Sequence, residues 1–260
     1  MKSTRTSVQI MSDTVHALML RELKTRFGAS KLGYFWAIAE PAAQASIMAI
    51  LFSLIGRESI SGVPIALFLI CALLPFKFFA KLLPQLTASV KANKGLLSYR
   101  QVAPIDPFIT RFIIEFTTFI VVYILILLVM AWLGFDVWPQ DLLALLSVSV
   151  LLALLATGLG LMLCAATLYW DDVPKLLGMV MTPMFFISGI FFCATMIPQQ
   201  YWYLFTWNPI FHALEISRDA MFVTYQTPVG SWGYLGFLAL FSNAIGLMLY
   251  QVNRQRFVSS

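Results

Sequence analysis

Hydrophobic positions along this chain fall into long uninterrupted runs rather than short alternating ones. Six runs approach the roughly 20 residues that a helix needs to cross a bilayer core of about 30 Å. They cover residues 34–55, 63–83, 108–134, 142–168, 176–197 and 232–252. Ahead of them Val15, Met19, Leu23 and Phe27 recur every fourth residue, with Leu20 beside them, while Arg21, Glu22, Lys24 and Arg26 occupy other faces. That spacing predicts an amphipathic helix within 12–32, capped at Ser12 or Asp13, stopped near Gly28 and lying in a membrane interface. Residues 84–107 are too polar to span, yet display Leu96, Leu97 and Tyr99 beside Lys91, Lys94 and Arg100. Residues 198–231 hold three prolines and a short apolar stretch broken by Glu215, Arg218 and Asp219. The pattern therefore predicts one all-α integral membrane domain. It has six transmembrane helices, an N-terminal amphipathic interface helix and short re-entrant helices before the last span.

Composition reinforces this reading. Hydrophobic residues make up 60% of the chain and charged ones 11%, with a mean hydropathy of +0.84. Soluble domains run near 45–50% apolar and about 25% charged. A soluble globular enzyme, a disordered chain and a disulfide-stapled secreted module are excluded. The net charge of +5 comes from basic residues beside the apolar runs, which suits anionic lipid headgroups rather than nucleic acid. With six spans, every Lys and Arg except Arg57 and Arg218 falls on one side of the membrane, together with both termini. By the positive-inside rule that side is the cytoplasm. The opening residues lack a continuous apolar h-region and a small-residue cleavage site, so no leader is expected to be removed. Cys71, Cys164 and Cys193 all sit inside apolar runs and read as small packing residues. Stripes of small residues (Ala37, Pro41, Ala45 and Ala49; Ala156, Gly160 and Cys164) predict close helix packing.

Charges inside apolar runs cost roughly 2.5–3.5 kcal/mol each, so Glu40, Lys77, Lys81, Arg111 and Glu115 mark a candidate pathway. Arg111 and Glu115 stand one turn apart and can neutralise each other. Lys81 can snorkel to the headgroups, whereas Lys77 lies deeper. Arg21, Lys24, Arg26 and Lys31 offer cations to an anionic lipid-like substrate at headgroup depth. Tyr201, Trp202, Tyr203 and Trp207, with Asn208, have two readings: an interfacial aromatic belt, or an outer gate whose rings meet passing sugars. Catalytic and metal motifs are absent from the sequence. The only GxxxxG, at 28–33, lacks the following Lys-Ser/Thr, and neither HExxH nor GxSxG occurs. The two histidines, His16 and His212, fall on opposite sides of the membrane, so no shared metal site is expected.

Residues 20–27 (LRELKTRF) and 32–41 (LGYFWAIAEP) resemble the membrane subunit of ABC-2 type polysaccharide exporters. Residues 92–100 (ANKGLLSYR) with 104–106 (PID), and 197–202 (IPQQYW) with 207–212 (WNPIFH), are similar to the capsule-export branch. The resemblance covers nearly the whole chain. It implies a homodimeric permease pairing with two copies of a separate cytoplasmic ABC ATPase, which would hold the ATP and Mg. The cargo implied is a lipid-linked acidic capsular polysaccharide crossing the bacterial inner membrane. In Gram-negative relatives a periplasmic co-polymerase and an outer-membrane channel complete the route. The resemblance assigns the first helix to the membrane interface and 89–100 to ATPase coupling, which involves Lys91, Asn93, Lys94, Leu96, Leu97, Tyr99 and Arg100. It also places short re-entrant helices within 199–222. An uncharged residue is expected at the position of Lys77, so no role carries over to it. The alternatives are a permease for another lipid-linked glycan, such as O-antigen or teichoic acid, and a small-molecule or drug exporter. A secondary transporter would show broken helices in both halves; here only 198–231 is strongly broken. An intramembrane enzyme is disfavoured because no acid, base and nucleophile converge.

Overall fold

A computed structural model describes residues 6–27, 33–56, 59–97, 99 and 101–259. Helix α1 (Ser7–Phe27) begins earlier than the apolar spacing implies. A reciprocal cap explains this: the Gln9 N–H donates to Thr6 Oγ1 at 3.4 Å, and the Thr6 N–H donates to Gln9 Oε1 at 3.0 Å. The helix packs on α5 (Ile105–Trp132). It turns Leu18 and Glu22 inward, Val15, Met19 and Leu23 half inward, and Leu20 outward.

Helix α2 (Gly33–Leu54) leads to a hairpin of β1 (Ser59–Ile60) and β2 (Val63–Pro64), a small exception to the all-helical expectation. Its two-residue loop puts Ser61 and Gly62 at positive φ, 51° and 79°, the hand that matches strand twist. Helix α3 (Ile65–Thr87) is apolar and largely buried on every face but the one that carries Lys77, Lys81 and Gln85. It continues through Pro84, beyond the boundary expected at 83. Then come α4 (Ser89–Ala92), one 3₁₀ turn at Lys94–Leu96, α5, α6 (Leu142–Ala166), α7 (Val173–Ile187), α8 (Pro209–Met221) and α9 (Trp232–Ser259). Helix α3 sits centrally, packed by α2, α5, α6, α7 and α8.

Among the described residues four helices, α3, α5, α6 and α9, are long and apolar enough to cross a membrane. The apolar part of α2 and the whole of α7 are shorter. The run at 176–197 does not form one helix. Helix α7 has 15 residues, about 22 Å at 1.5 Å per residue. It contains Pro183 and stops before Gly189, whose φ of 78° is a left-handed conformation that ends a helix.

Helices α6 and α9 pack the most tightly. A Cβ on Gly158 would lie 2.3 Å from Ser242 Oγ and 2.5 Å from the Asn243 backbone nitrogen. Asn243 Nδ2 donates to Leu154 O at 2.6 Å, and Thr157 Oγ1 donates to Asn243 Oδ1 at 3.1 Å. The predicted stripe at Ala156, Gly160 and Cys164 is buried; a Cβ on Gly160 would lie 2.7 Å from Leu86 Cβ on α3.

Candidate functional site

Four of the five charges expected along a pathway line one groove. Helices α2, α3 and α5 enclose a cavity of about 410 Å³, walled by Glu40, Lys77, Lys81 and Glu115 and by apolar side chains including Phe78 and Phe119. Lys77 Nζ lies 2.7 Å from Glu40 Oε1, and Lys81 Nζ lies 3.2 Å from Glu115 Oε2. Each pair joins α3 to a neighbouring helix, and the four charges cancel.

The partner found for each of Arg111 and Glu115 lies on another helix rather than one turn away on α5: Glu115 meets Lys81, and Arg111 turns to α1 and α3. Arg111 Nε donates to Glu22 Oε1 on α1 at 3.0 Å, and its Nη1 donates to Gln85 O at 2.7 Å. Gln85 lies in the last turn of α3, where carbonyls lack helical partners and a cation complements the helix dipole. That end of α3, together with Glu22, draws the guanidinium.

The candidate coupling segment follows directly. Lys91 Nζ lies 2.6 Å from Asp171 Oδ1, in the loop between α6 and α7. The Lys91 hydrogen bond, reinforced by its charge, holds the Asp171 carboxyl below its usual range. Lys91, Lys94, Thr167, Asp171 and Phe257 are among the residues that border a smaller cavity of about 220 Å³. Arg21 Nη2 donates to Asn93 Oδ1, whose Nδ2 in turn donates to Ser89 O at 2.8 Å. One expectation is corrected here. Leu97 is only 5% exposed and belongs to the chain's own core, whereas Tyr99 is 64% exposed and Leu96 is half-buried. The apolar pair splits because consecutive side chains in and just after the 3₁₀ turn at Lys94–Leu96 point about 120° apart. Lys24 is exposed. Lys31, Arg100 and the side chain of Arg26 lie outside the described residues.

The aromatic segment before α9 divides too. Tyr201, Tyr203 and Trp207 are exposed. Trp202 is half-buried, and its Nε1 donates to Ile197 O at 2.9 Å and Ala194 O at 3.2 Å. Asn208 is buried: its Oδ1 caps α8 by accepting from the Ile210 N–H at 2.9 Å, and its Nδ2 donates to Ser188 Oγ at 3.0 Å.

Sequence reasoning missed the node beneath these aromatics. Glu215 and Arg218, both 0% exposed, pair at 3.2 Å on α8. Arg218 also donates to the carbonyls of Gly189, Ile190 and Phe192, and its guanidinium lies 3.9 Å from the Phe68 ring centroid. Glu215 accepts from the Ala194 N–H, Tyr225 Oη and Thr227 Oγ1. The signal was an acid and a base three residues apart within an apolar stretch, a spacing that allows pairing on one face. At the start of α8 the Ser231 N–H donates to His212 Nδ1, so the ring proton sits on Nε2, 2.8 Å from Thr206 O. His212 thereby ties α8 to the start of α9.

Residues 14–222 match the ABC-2 type transporter family. The polysialic acid transport protein KpsM of Escherichia coli is 35% identical over 98% of this chain and 99% of its own length. The capsule polysaccharide export inner-membrane protein BexB of Haemophilus influenzae is 27% identical over 93% of this chain and 90% of its own. CtrC of Neisseria meningitidis, which bears the same description, is 25% identical over 85% of each chain. A bundle of long apolar helices, a family match across most of those helices and an end-to-end relative lead to one assignment: the chain belongs to the ABC-2 type transporter family.

Proposed function

We propose that this chain is the permease subunit of an ATP-driven exporter that moves a lipid-linked acidic capsular polysaccharide across the bacterial inner membrane. The end-to-end match to a polysialic acid transport protein carries this reading. The subunit works as a homodimer with two cytoplasmic ABC ATPase subunits, and a periplasmic co-polymerase and an outer-membrane channel continue the route. Helix α2, and α7 together with the segment that follows it to residue 197, complete six crossings, with both termini in the cytoplasm. Their outward apolar residues, among them Ile50, Leu54, Met179 and Phe186, suit lipid or the second copy. Co-purification from native membranes should recover an ABC ATPase, and the reconstituted complex should move glycolipid only with ATP. Recovery without any ATPase overturns the reading.

The coupling segment meets the ATPase through Tyr99 and Leu96 rather than Leu97. Tyr99→Asp puts a charge into that contact and should lower export and ATPase recovery while leaving subunit abundance at the wild-type level. Leu97→Asp should instead lower abundance, because the charge is buried within the subunit itself. The reverse pattern removes Tyr99 from the contact.

The exposed rings of Tyr201, Tyr203 and Trp207 form the outer gate. Trp207→Ala should cause ion leakage in reconstituted vesicles or stalled export with ATP hydrolysis intact. Wild-type leakage and wild-type export together would leave the ring as an interfacial anchor.

A further inference from the structure

On the coupling side of the bundle five polar contacts among the described residues form a series from one element to the next. Glu40 on α2 meets Lys77 on α3, and Lys81 on α3 meets Glu115 on α5. Arg111 on α5 meets Glu22 on α1, Arg21 on α1 meets Asn93 after α4, and Lys91 on α4 meets Asp171 after α6. Arg21 and Glu22 occupy the centre of this series. As consecutive helical residues they point about 100° apart, at 3.6 residues per turn, and so reach two different elements.

The Glu22–Arg111 contact is withdrawn from water, with the two residues 8% and 9% exposed. Ion pairs at such sites are weakly screened, and losing one partner leaves the other charge stranded. Arg111 also holds the last turn of α3 through Gln85 O. A displacement of the segment around Asn93 therefore cannot leave α1 behind unless the Arg21 contact breaks. Nor can α1 move without pulling on α5 and the end of α3.

We infer that Arg21 and Glu22 are a double clasp that makes α1 a transmitting element, tying the coupling segment at Asn93 to α5 at Arg111. This rests on the exporter reading above. It gives Arg21 a positioning role, its Nη2 donating to Asn93 Oδ1, and leaves the reception of an anionic glycolipid to other cations. Asn93 becomes a positioning residue whose amide oxygen receives α1.

Two substitutions separate this role from local support of α4. Asn93→Asp keeps an acceptor for Arg21 and gives up the Nδ2 donor to Ser89 O; Asn93→Ala gives up both. With the permease alone in detergent, limited trypsin digestion at Lys24 should speed up in Asn93→Ala and stay at the wild-type rate in Asn93→Asp. In the reconstituted permease–ATPase complex, glycolipid moved per ATP hydrolysed should fall about tenfold in Asn93→Ala, within the range of couplings between sites. It should hold in Asn93→Asp. Arg21→Gln should reproduce the alanine effect and add nothing to it, since both remove one contact.

Equal losses in Asn93→Ala and Asn93→Asp would assign Asn93 to α4 and overturn the clasp, as would unchanged digestion in Asn93→Ala. A loss in Arg21→Gln that adds to that of Asn93→Ala and fades at high salt would return Arg21 to glycolipid reception. If the wild-type complex moves no glycolipid, the exporter reading falls, and the digestion rates still decide the clasp.

Discussion

Arg218→Leu should remove most of the folded protein from the membrane fraction. The substitution strands the Glu215 carboxylate, which is fully buried, and frees three backbone carbonyls at Gly189, Ile190 and Phe192. Breaking a buried pair from one side costs about 3–5 kcal/mol, a large share of the roughly 5–15 kcal/mol by which folded proteins are stable. The carbonyls add to this, because α7 stops inside the bundle and Arg218 satisfies the chain beyond its end. Arg218→Leu with Glu215→Gln should regain only part of the stability: it removes the stranded charge but leaves the carbonyls unserved. Melting of the detergent-purified variants and their membrane abundance check both claims. A single variant that melts like wild type would mean that the node is dispensable.

Gly158→Leu should force α6 and α9 apart. The new Cβ would lie within 2.5 Å of the backbone at Ser242 and Asn243, and backbone cannot yield as a side chain can. Overpacking costs typically 1–3 kcal/mol. Here the displacement also stretches the Asn243 hydrogen bonds to Leu154 and Thr157. Gly236→Leu on α9 is the control, since nothing lies within 4 Å of a Cβ there. Equal melting temperatures for the two variants would show that the α6–α9 seam tolerates separation.

Much of the architecture was legible because long apolar runs have few solutions. Four of the six runs coincide with helices long enough to cross a membrane, and the stripe at Ala156, Gly160 and Cys164 lies buried as its spacing implied. The broken segment at 198–231 does contain short helices, around Tyr201 and in α8. Boundaries were less legible. The second run was expected to end at 83, yet α3 holds Pro84 within it and runs on to Thr87, so the tertiary packing of a buried helix outweighs the local cost of the proline. Gly189 lay inside an apolar run that hydropathy alone could not divide.

The candidate site shows the same division. Composition and the long apolar runs by themselves determined a membrane protein. They also marked Glu40, Lys77, Lys81, Arg111 and Glu115 as charges too costly to sit in apolar helices without partners. Only the tertiary structure decided who those partners are: Glu40 for Lys77, Glu115 for Lys81 and Glu22 for Arg111. It also decided that Leu97 turns inward while Tyr99 turns out, and that Glu215 and Arg218 close the end of a short α7. The reason is physical. Burial and periodicity act within a helix and can be read along the chain, whereas an ion pair between helices depends on which elements meet and how each is rotated, and the packing of the whole bundle sets both.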